Sequence, residues 1–111
     1  MQFMLLIYED DAERVQKSDE WKPHCGAYVE AMKKAGIYRA GERLRTVDMT
    51  TSVRVREGKA QILDGPYAEA KEQLAGFHLI DVPDLDAALL WASRCPSAAR
   101  NVVEVRPVWP L

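Results

Sequence analysis

Residues 2–8, QFMLLIY, form an apolar run that decides the fold of this sequence. A strand with one face in water alternates apolar and polar residues, so an unbroken apolar run is typical of a strand that is covered on both faces. The pattern after it predicts a helix within residues 19–35, ended by Gly36. Pro23 then lies near the first turn of that helix, where proline is tolerated.

The predicted helix is amphipathic, with apolar side chains spaced three or four residues apart on one face. That face consists of Trp21, Cys25, Tyr28, Met32 and Ala35. His24 lies at its edge, about 60° from the centre of the face at ~100° per residue. An imidazole in this position is suited to proton transfer, and the alternative is a structural histidine.

A strand, a hairpin and another strand follow the helix. Residues 37–44 predict the first of these strands. Residues 51–64 predict a β-hairpin, because Val53 and Val55 alternate with Arg54 and Arg56 before an apparent turn at Glu57-Gly58. Residues 76–82, GFHLIDV, predict the next strand. The sequence leaves open whether the hairpin joins the main sheet or lies over its edge.

The C-terminal part predicts a second helix and a last strand. Asp84 is a suitable N-cap, and Pro96 is expected to stop the helix. Asn101 is expected to provide a left-handed turn before the strand at residues 102–109. The expected buried stripe of the helix is Leu85, Ala88, Leu89 and Ala92.

The order of these elements predicts an α+β fold. Without the inserted hairpin the order is βαββαβ, which is typical of a ferredoxin-like antiparallel sheet with both helices on one face. The second face of the sheet then needs a cover, since the first strand is apolar on both sides. The same face of a second subunit would supply it, so we expect a homodimer that forms a dimeric α+β barrel.

Composition excludes several classes of protein. The 111 residues, 48% hydrophobic and 29% charged, predict a single globular domain over residues 1–111. A net charge of −2 from 15 basic and 17 acidic residues disfavours direct nucleic-acid binding. The first apolar run is too short for a signal peptide or a membrane span, which predicts a cytoplasmic protein. Cys25 and Cys95 form no CxxC motif and are expected as reduced thiols, with a single bridge left open.

The longest motif is DGPYAEAKEQLAGFHLIDVPDLDAALLWASRCP at residues 64–96, followed by VEVRPV at residues 103–108. Together with MLLIYED, AGIYRAGERL and TTSVRVREGKAQILDGP, it resembles the DGPF group of the YCII-related family of small bacterial proteins. The resemblance covers the whole chain and implies a ferredoxin-like α+β dimer. The motif phenylalanine is replaced by Tyr67.

The resemblance implies two kinds of function. Some YCII-related members carry a histidine in the first helix and an aspartate before a proline after the second, which implies an enzyme. His24 stands at the first position and Cys95 at the second, where a thiolate–imidazolium pair would be the hypothesis if the two met. DGPF members that occur beside or fused with sigma factors imply transcription control instead.

The charged stretch DGPYAEAKEQLAG, residues 64–76, is a candidate cleft rim. Asp64 can orient a turn at Gly-Pro, and Glu69 and Lys71 can match the charge of a small polar metabolite. The alternative is an ion-pair network of Glu69, Lys71 and Glu72 that clamps the loop.

Two further residues are binding candidates. His78 alternates with apolar neighbours in its strand and is expected to face a pocket or the dimer cavity. Arg106 lies beside Glu104 on one strand face, as a surface ion pair or an anion contact. No ligand spacing predicts a metal site, and no motif predicts a cofactor.

The sequence therefore supports two hypotheses. The first is a small-molecule-binding or enzyme-like domain, with His24 and Asp64 as catalytic candidates. The second is a non-catalytic interaction module that regulates transcription through a sigma factor. Ligand-induced stabilisation would separate them, because only the first hypothesis expects a small molecule that binds the folded state.

Overall fold

The computed structural model describes residues 1–111 and contains six strands and three α-helices. In chain order they are β1 (Gln2–Asp10), α1 (Asp11–Lys34), β2 (Tyr38–Arg43), β3 (Thr51–Arg56), β4 (Lys59–Asp64), β5 (Glu72–Asp81), α2 (Leu85–Arg94), α3 (Pro96–Arg100) and β6 (Val102–Pro107). A short 3-10 helix, Val47–Met49, precedes β3.

Four strands form an antiparallel sheet in the order β2-β5-β1-β6. This order places β5 between β2 and β1, as the split βαβ arrangement requires, and it confirms the predicted ferredoxin-like α+β fold. The helices pack on one face of the sheet. Phe3, Leu5 and Ile80 of that face are at most 1% exposed and meet Met32 of α1 in the core.

The other face of the sheet carries no helix of this chain. Side chains alternate along a strand, so Met4, Leu6 and Tyr8 of β1 point to this second face, where they are half-buried. The homodimer that would cover them stays a prediction. None of the helices combines the length and the apolar composition that a membrane span requires.

The inserted hairpin is a separate two-stranded sheet of β3 and β4. It turns at the predicted residues, with φ of 51° at Glu57 and 74° at Gly58. Positive φ at both central residues is the signature of a type I′ turn, whose twist matches that of the strands. The hairpin pairs with no strand of the main sheet, so the first of the two predicted placements is excluded.

Helix α1 begins eight residues earlier than predicted, at Asp11 rather than Asp19. The side chain of Asp10 caps it by accepting a hydrogen bond from the Glu13 amide at 3.0 Å. Pro23 consequently lies in the helix interior, where its missing N–H leaves the Asp19 carbonyl without its usual donor.

The end of α1 is as predicted. Gly36 has a φ of 74°, a conformation that L side chains rarely adopt. The Ile37 amide donates to the Met32 carbonyl at 3.2 Å, which closes a Schellman motif around this glycine.

Helix α2 is capped as predicted, since Asp84 accepts from the Ala87 amide at 2.9 Å. Its buried stripe is narrower than predicted. Ala88 and Ala92 are buried, whereas Leu85 and Leu89 are 48% and 47% exposed. The helix turns its small side chains toward the sheet, which leaves the flanking leucines at the edge of the contact.

Two residues after α2 differ from expectation. Pro96 stops α2 but also begins α3, because proline suits the first turn of a helix and keeps the preceding Cys95 extended. Asn101 has a φ of −137° and is therefore not in the predicted left-handed conformation.

Candidate functional site

A cavity of about 370 Å³ lies between α1 and the sheet. The register of the sheet explains why space is left there. Gly76 of β5 is paired with Ile7 of β1 and with Arg43 of β2, and Gly41 of β2 is paired with His78 of β5. Gly76 carries no side chain and lines the cavity, whereas the place that a Gly41 side chain would take is occupied by the His78 ring and the Tyr38 hydroxyl.

The roof of the cavity is one stripe of α1. Its lining residues recur every three or four positions, as expected for one helix face, and include Ser18, Trp21, Lys22, Cys25 and Val29. The apolar members flank the floor, and the lysine lies toward the exposed side of the helix.

His78 is the titratable group in the floor. Its ring lies between Tyr28 and Tyr38, at centroid distances of 5.7 Å and 6.3 Å. Burial lowers its pKa below the ordinary value of 6.5, which keeps the imidazole neutral near pH 7. Nδ1 is buried without a hydrogen-bond partner. Nε2 is the nitrogen available to a bound molecule.

A buried polar cluster forms the end wall. Glu9 of β1 accepts hydrogen bonds from Ser97 at 2.5 Å and from Arg100 at 2.9 Å. The guanidinium of Arg100 also lies 3.6 Å from the centre of the Trp21 ring. Glu9 is only 4% exposed, so Arg100 and Ser97 compensate a carboxylate taken out of water.

Sequence reasoning missed this cluster. The signal was available in β1, where alternate residues Phe3, Leu5 and Ile7 face the helices and Glu9 continues the same face. A carboxylate at the fourth inward position predicts a partner inside the protein. The sequence pattern does not predict which residue is that partner, because Arg100 lies 91 positions away from Glu9.

Arg14 is a second buried group that the sequence did not reveal. Its Nη1 donates to the Leu44 carbonyl at 2.7 Å and to the Ala75 carbonyl at 3.1 Å, and Nη2 lies 3.4 Å from Asp11. The residue is 7% exposed. It ties α1 to the chain after β2 and to Ala75 of β5, and it lines the cavity.

Of the six residues that the sequence predicted as catalytic or substrate-binding, only His78 lines the cavity. His24 lies on the exposed side of α1, and Asp64 is exposed at the end of β4. Glu69 and Lys71 are exposed in the loop before β5, so the cavity is not at the predicted loop. The structure does not bring these four residues together with His78.

The charged loop also lacks the predicted ion-pair clamp. No ion pair joins Glu69, Lys71 and Glu72, and Glu72 begins β5. A backbone hydrogen bond holds the start of the loop instead, because the Gly65 amide donates to the Thr50 carbonyl at 2.8 Å. Gly65 has a φ of 106°, which explains the glycine of the DGP turn.

The surroundings of Arg106 and of the two cysteines favour structural roles for these residues. Arg106 is exposed and pairs with Glu104 at 2.7 Å, which favours the surface ion pair over an anion contact.

Cys25 and Cys95 are free. Burial raises the pKa of the Cys95 thiol, and the nearby groups that affect its charge do not include His24. No group of three or more metal-binding side chains is close enough to hold an ion.

We expect stability to fall with acidity because of His78. Its folded-state pKa is lowered, so the unfolded chain binds more protons between the two pKa values. The free energy of unfolding should decrease as the pH drops below about 6.5, and this decrease should level off below the folded-state pKa. Urea unfolding at a series of pH values checks this.

His78→Gln should remove that component of the pH dependence, whereas His24→Gln, at the exposed histidine of α1, should retain it. An identical pH dependence in the native protein and in His78→Gln would contradict the expected lowering of the His78 pKa.

Gly41→Ala should displace the His78 ring. A Cβ atom on Gly41 would lie 2.6 Å from His78 Nδ1, 2.9 Å from the Tyr38 hydroxyl and 3.0 Å from the Phe77 carbonyl. The expected loss is about 1–3 kcal/mol, as for other overpacked positions. Urea unfolding measures the loss, and the imidazole NMR resonances report the displacement. Unchanged imidazole resonances at an unchanged free energy of unfolding would show that the added methyl group fits without displacing the His78 ring.

Comparison with known proteins gives the relationships of the chain. The model of the YCII-related domain matches residues 1–111. An uncharacterized protein of Rhizobium meliloti (strain 1021) is 32% identical over 114 residues, which cover 97% of this chain and 92% of that protein.

A solved structure has a similar fold. It is 5-chloro-2-hydroxyhydroquinone dehydrochlorinase (TftG) from Burkholderia phenoliruptrix AC1100, in complex with 2,5-dihydroxybenzoquinone. The TM-score is 0.58 at 13% identity, and the match covers 98% of this chain and 94% of that chain. The family match over the whole length and the Rhizobium relative show that this chain belongs to the YCII-related domain family.

Proposed function

We propose that this protein is an enzyme-like, small-molecule-binding domain in which His78 transfers a proton to or from a small polar ring. The observation that carries the proposal is the neutral imidazole in the floor of the cavity, with no hydrogen-bond partner in the protein. A neutral imidazole near pH 7 can accept a proton from an acidic hydroxyl or carbon and return it later.

The size and lining of the cavity support a small ring as the ligand. A volume of about 370 Å³ is within the range of ligand sites, and Trp21, Ile7 and Val29 offer apolar contact beside the polar groups. The dehydrochlorinase of similar fold is named for the loss of hydrogen chloride and was solved with a dihydroxylated quinone. We therefore take a hydroxylated ring as the ligand class.

The test uses 2,5-dihydroxybenzoquinone as the probe in thermal unfolding. A ligand that binds only the folded state raises the melting temperature by mass action. We expect this rise in the native protein and in His24→Gln, and a smaller rise in His78→Gln. A rise that His24→Gln abolishes and His78→Gln preserves would overturn the assignment.

We also propose that the protein is a homodimer and acts in the cytoplasm. Met4, Leu6 and Tyr8 lie on the sheet face without helices, and a second copy would cover them. Both cysteines are unpaired, which suits a reducing compartment. Sedimentation should give twice the chain mass of 12.6 kDa, and a monomer would contradict the proposal. The predicted catalytic and binding roles of five exposed residues stay predictions; these residues are His24, Asp64, Glu69, Lys71 and Arg106.

A second candidate function is the interaction module linked to a sigma factor, as in DGPF-group proteins. The hairpin favours it, because Val53, Val55 and Ile62 are 65%, 66% and 68% exposed. Their shared hairpin face is an apolar surface without a partner in this chain. Binding of a purified sigma factor by the native protein, lost in Val55→Glu, would support this role, and its absence would contradict it.

A further inference from the structure

A second cavity of about 230 Å³ adjoins the first one. It lies between the first half of α1 and the segment that follows β2. Both cavities are lined by Arg14, Ser18 and Arg43, and Arg45 and Thr46 line only the second. The two cavities therefore adjoin, with Arg14, Ser18 and Arg43 lining both of them.

The second cavity holds positive charge without matching negative charge. Arg14 is bound to backbone carbonyls and to Asp11, but Arg43 and Arg45 form no ion pair. Glu42 is opposite Phe77 in the register; it lines the first cavity but not the second.

The fold fixes the backbone on both sides of Arg45, whose side chain is exposed, as is that of Arg43. Arg14 binds the Leu44 carbonyl at 2.7 Å, and Asp11 accepts from the Val47 amide at 2.8 Å. These two contacts bracket Arg45 from both sides. A guanidinium on a fixed backbone loses less freedom when it binds a carboxylate or a phosphate in its forked geometry.

We propose that the ligand of the His78 site carries an anionic group, a carboxylate or a phosphate, which Arg43 and Arg45 hold in the second cavity. The inference rests on the proposed function, since His78 defines where the ring lies. The ligand class is thereby narrowed to an acidic ring compound that reaches from His78 to the second cavity.

The test compares three ring probes, phenol, benzoate and phenyl phosphate, by titration calorimetry. We expect the better of the two anions to bind about tenfold more tightly than phenol. This preference should disappear in Arg43→Gln/Arg45→Gln. It should persist in Arg54→Gln/Arg56→Gln, a matched pair on the hairpin that removes the same charge and lines neither cavity. The rank of benzoate and phenyl phosphate distinguishes a carboxylate from a phosphate ligand.

Inorganic phosphate tests the arginines without any ring. A saturable NMR shift of the Thr46 amide that the Arg43→Gln/Arg45→Gln variant lacks would support the inference. No such shift, or an anion preference that the variant retains, would overturn it. The response of the His78 resonances to phenol is measured separately, so a failure of the proposed function is distinguishable from a failure of the anion site.

Discussion

Replacing Arg100 with methionine should lower the free energy of unfolding by about 3–5 kcal/mol, which is typical of breaking a buried ion pair. Arg100 donates to Glu9 at 2.9 Å, and the side chains are 17% and 5% exposed. Without the guanidinium, a carboxylate stays buried with only the Ser97 hydroxyl to bind it. Urea unfolding at constant m-value measures the loss.

Two variants separate the charge effect from lost packing on Trp21. Glu9→Gln in the Arg100→Met background removes the buried charge and should recover part of the stability, because the amide oxygen still accepts from Ser97. Arg106→Met breaks an exposed pair of 2.7 Å and should cost less than about 1 kcal/mol. Equal losses for Arg100→Met and Arg106→Met would show that burial does not decide the energy of the pair.

Local patterns were sufficient for most of the fold. The apolar run of β1, the Asp84 cap and the Glu57-Gly58 turn each act through neighbours in sequence, so they could be read without a structure. The start of α1 was missed because its cap, Asp10, is also the last residue of β1, so no connecting segment separates the strand from the helix.

The site could be predicted only in part, because its residues meet across the whole chain. His78 was found from strand alternation alone. Arg14 is recognisable only through the carbonyls of Leu44 and Ala75, which lie 30 and 61 positions away. His24 was singled out by the resemblance, and an edge position on a wheel does not say whether the neighbouring elements cover it. No neighbouring element covers this position of α1, so the His24 side chain is exposed.

Gly76→Ala should destabilise the protein by about 1–3 kcal/mol or more, because the added methyl group meets backbone that cannot rotate away. A Cβ atom on Gly76 would lie 2.7 Å from the Glu42 carbonyl oxygen and 3.4 Å from Arg43 Cα. Strands β5 and β2 must then separate at the floor of the cavity. Binding of the probe 2,5-dihydroxybenzoquinone should therefore weaken together with stability.

Gly26→Ala is the matched control for Gly76→Ala, since Gly26 also lines the cavity but has nothing within 4 Å of its Cβ position. It lies in the interior of α1, where alanine is favoured over glycine by about 0.5–1 kcal/mol. We therefore expect opposite signs in urea unfolding, a loss for Gly76→Ala and a gain for Gly26→Ala. A stable Gly76→Ala protein with unchanged probe binding would mean that the sheet yields at this point, and that probe binding does not require the close approach of β2 to β5.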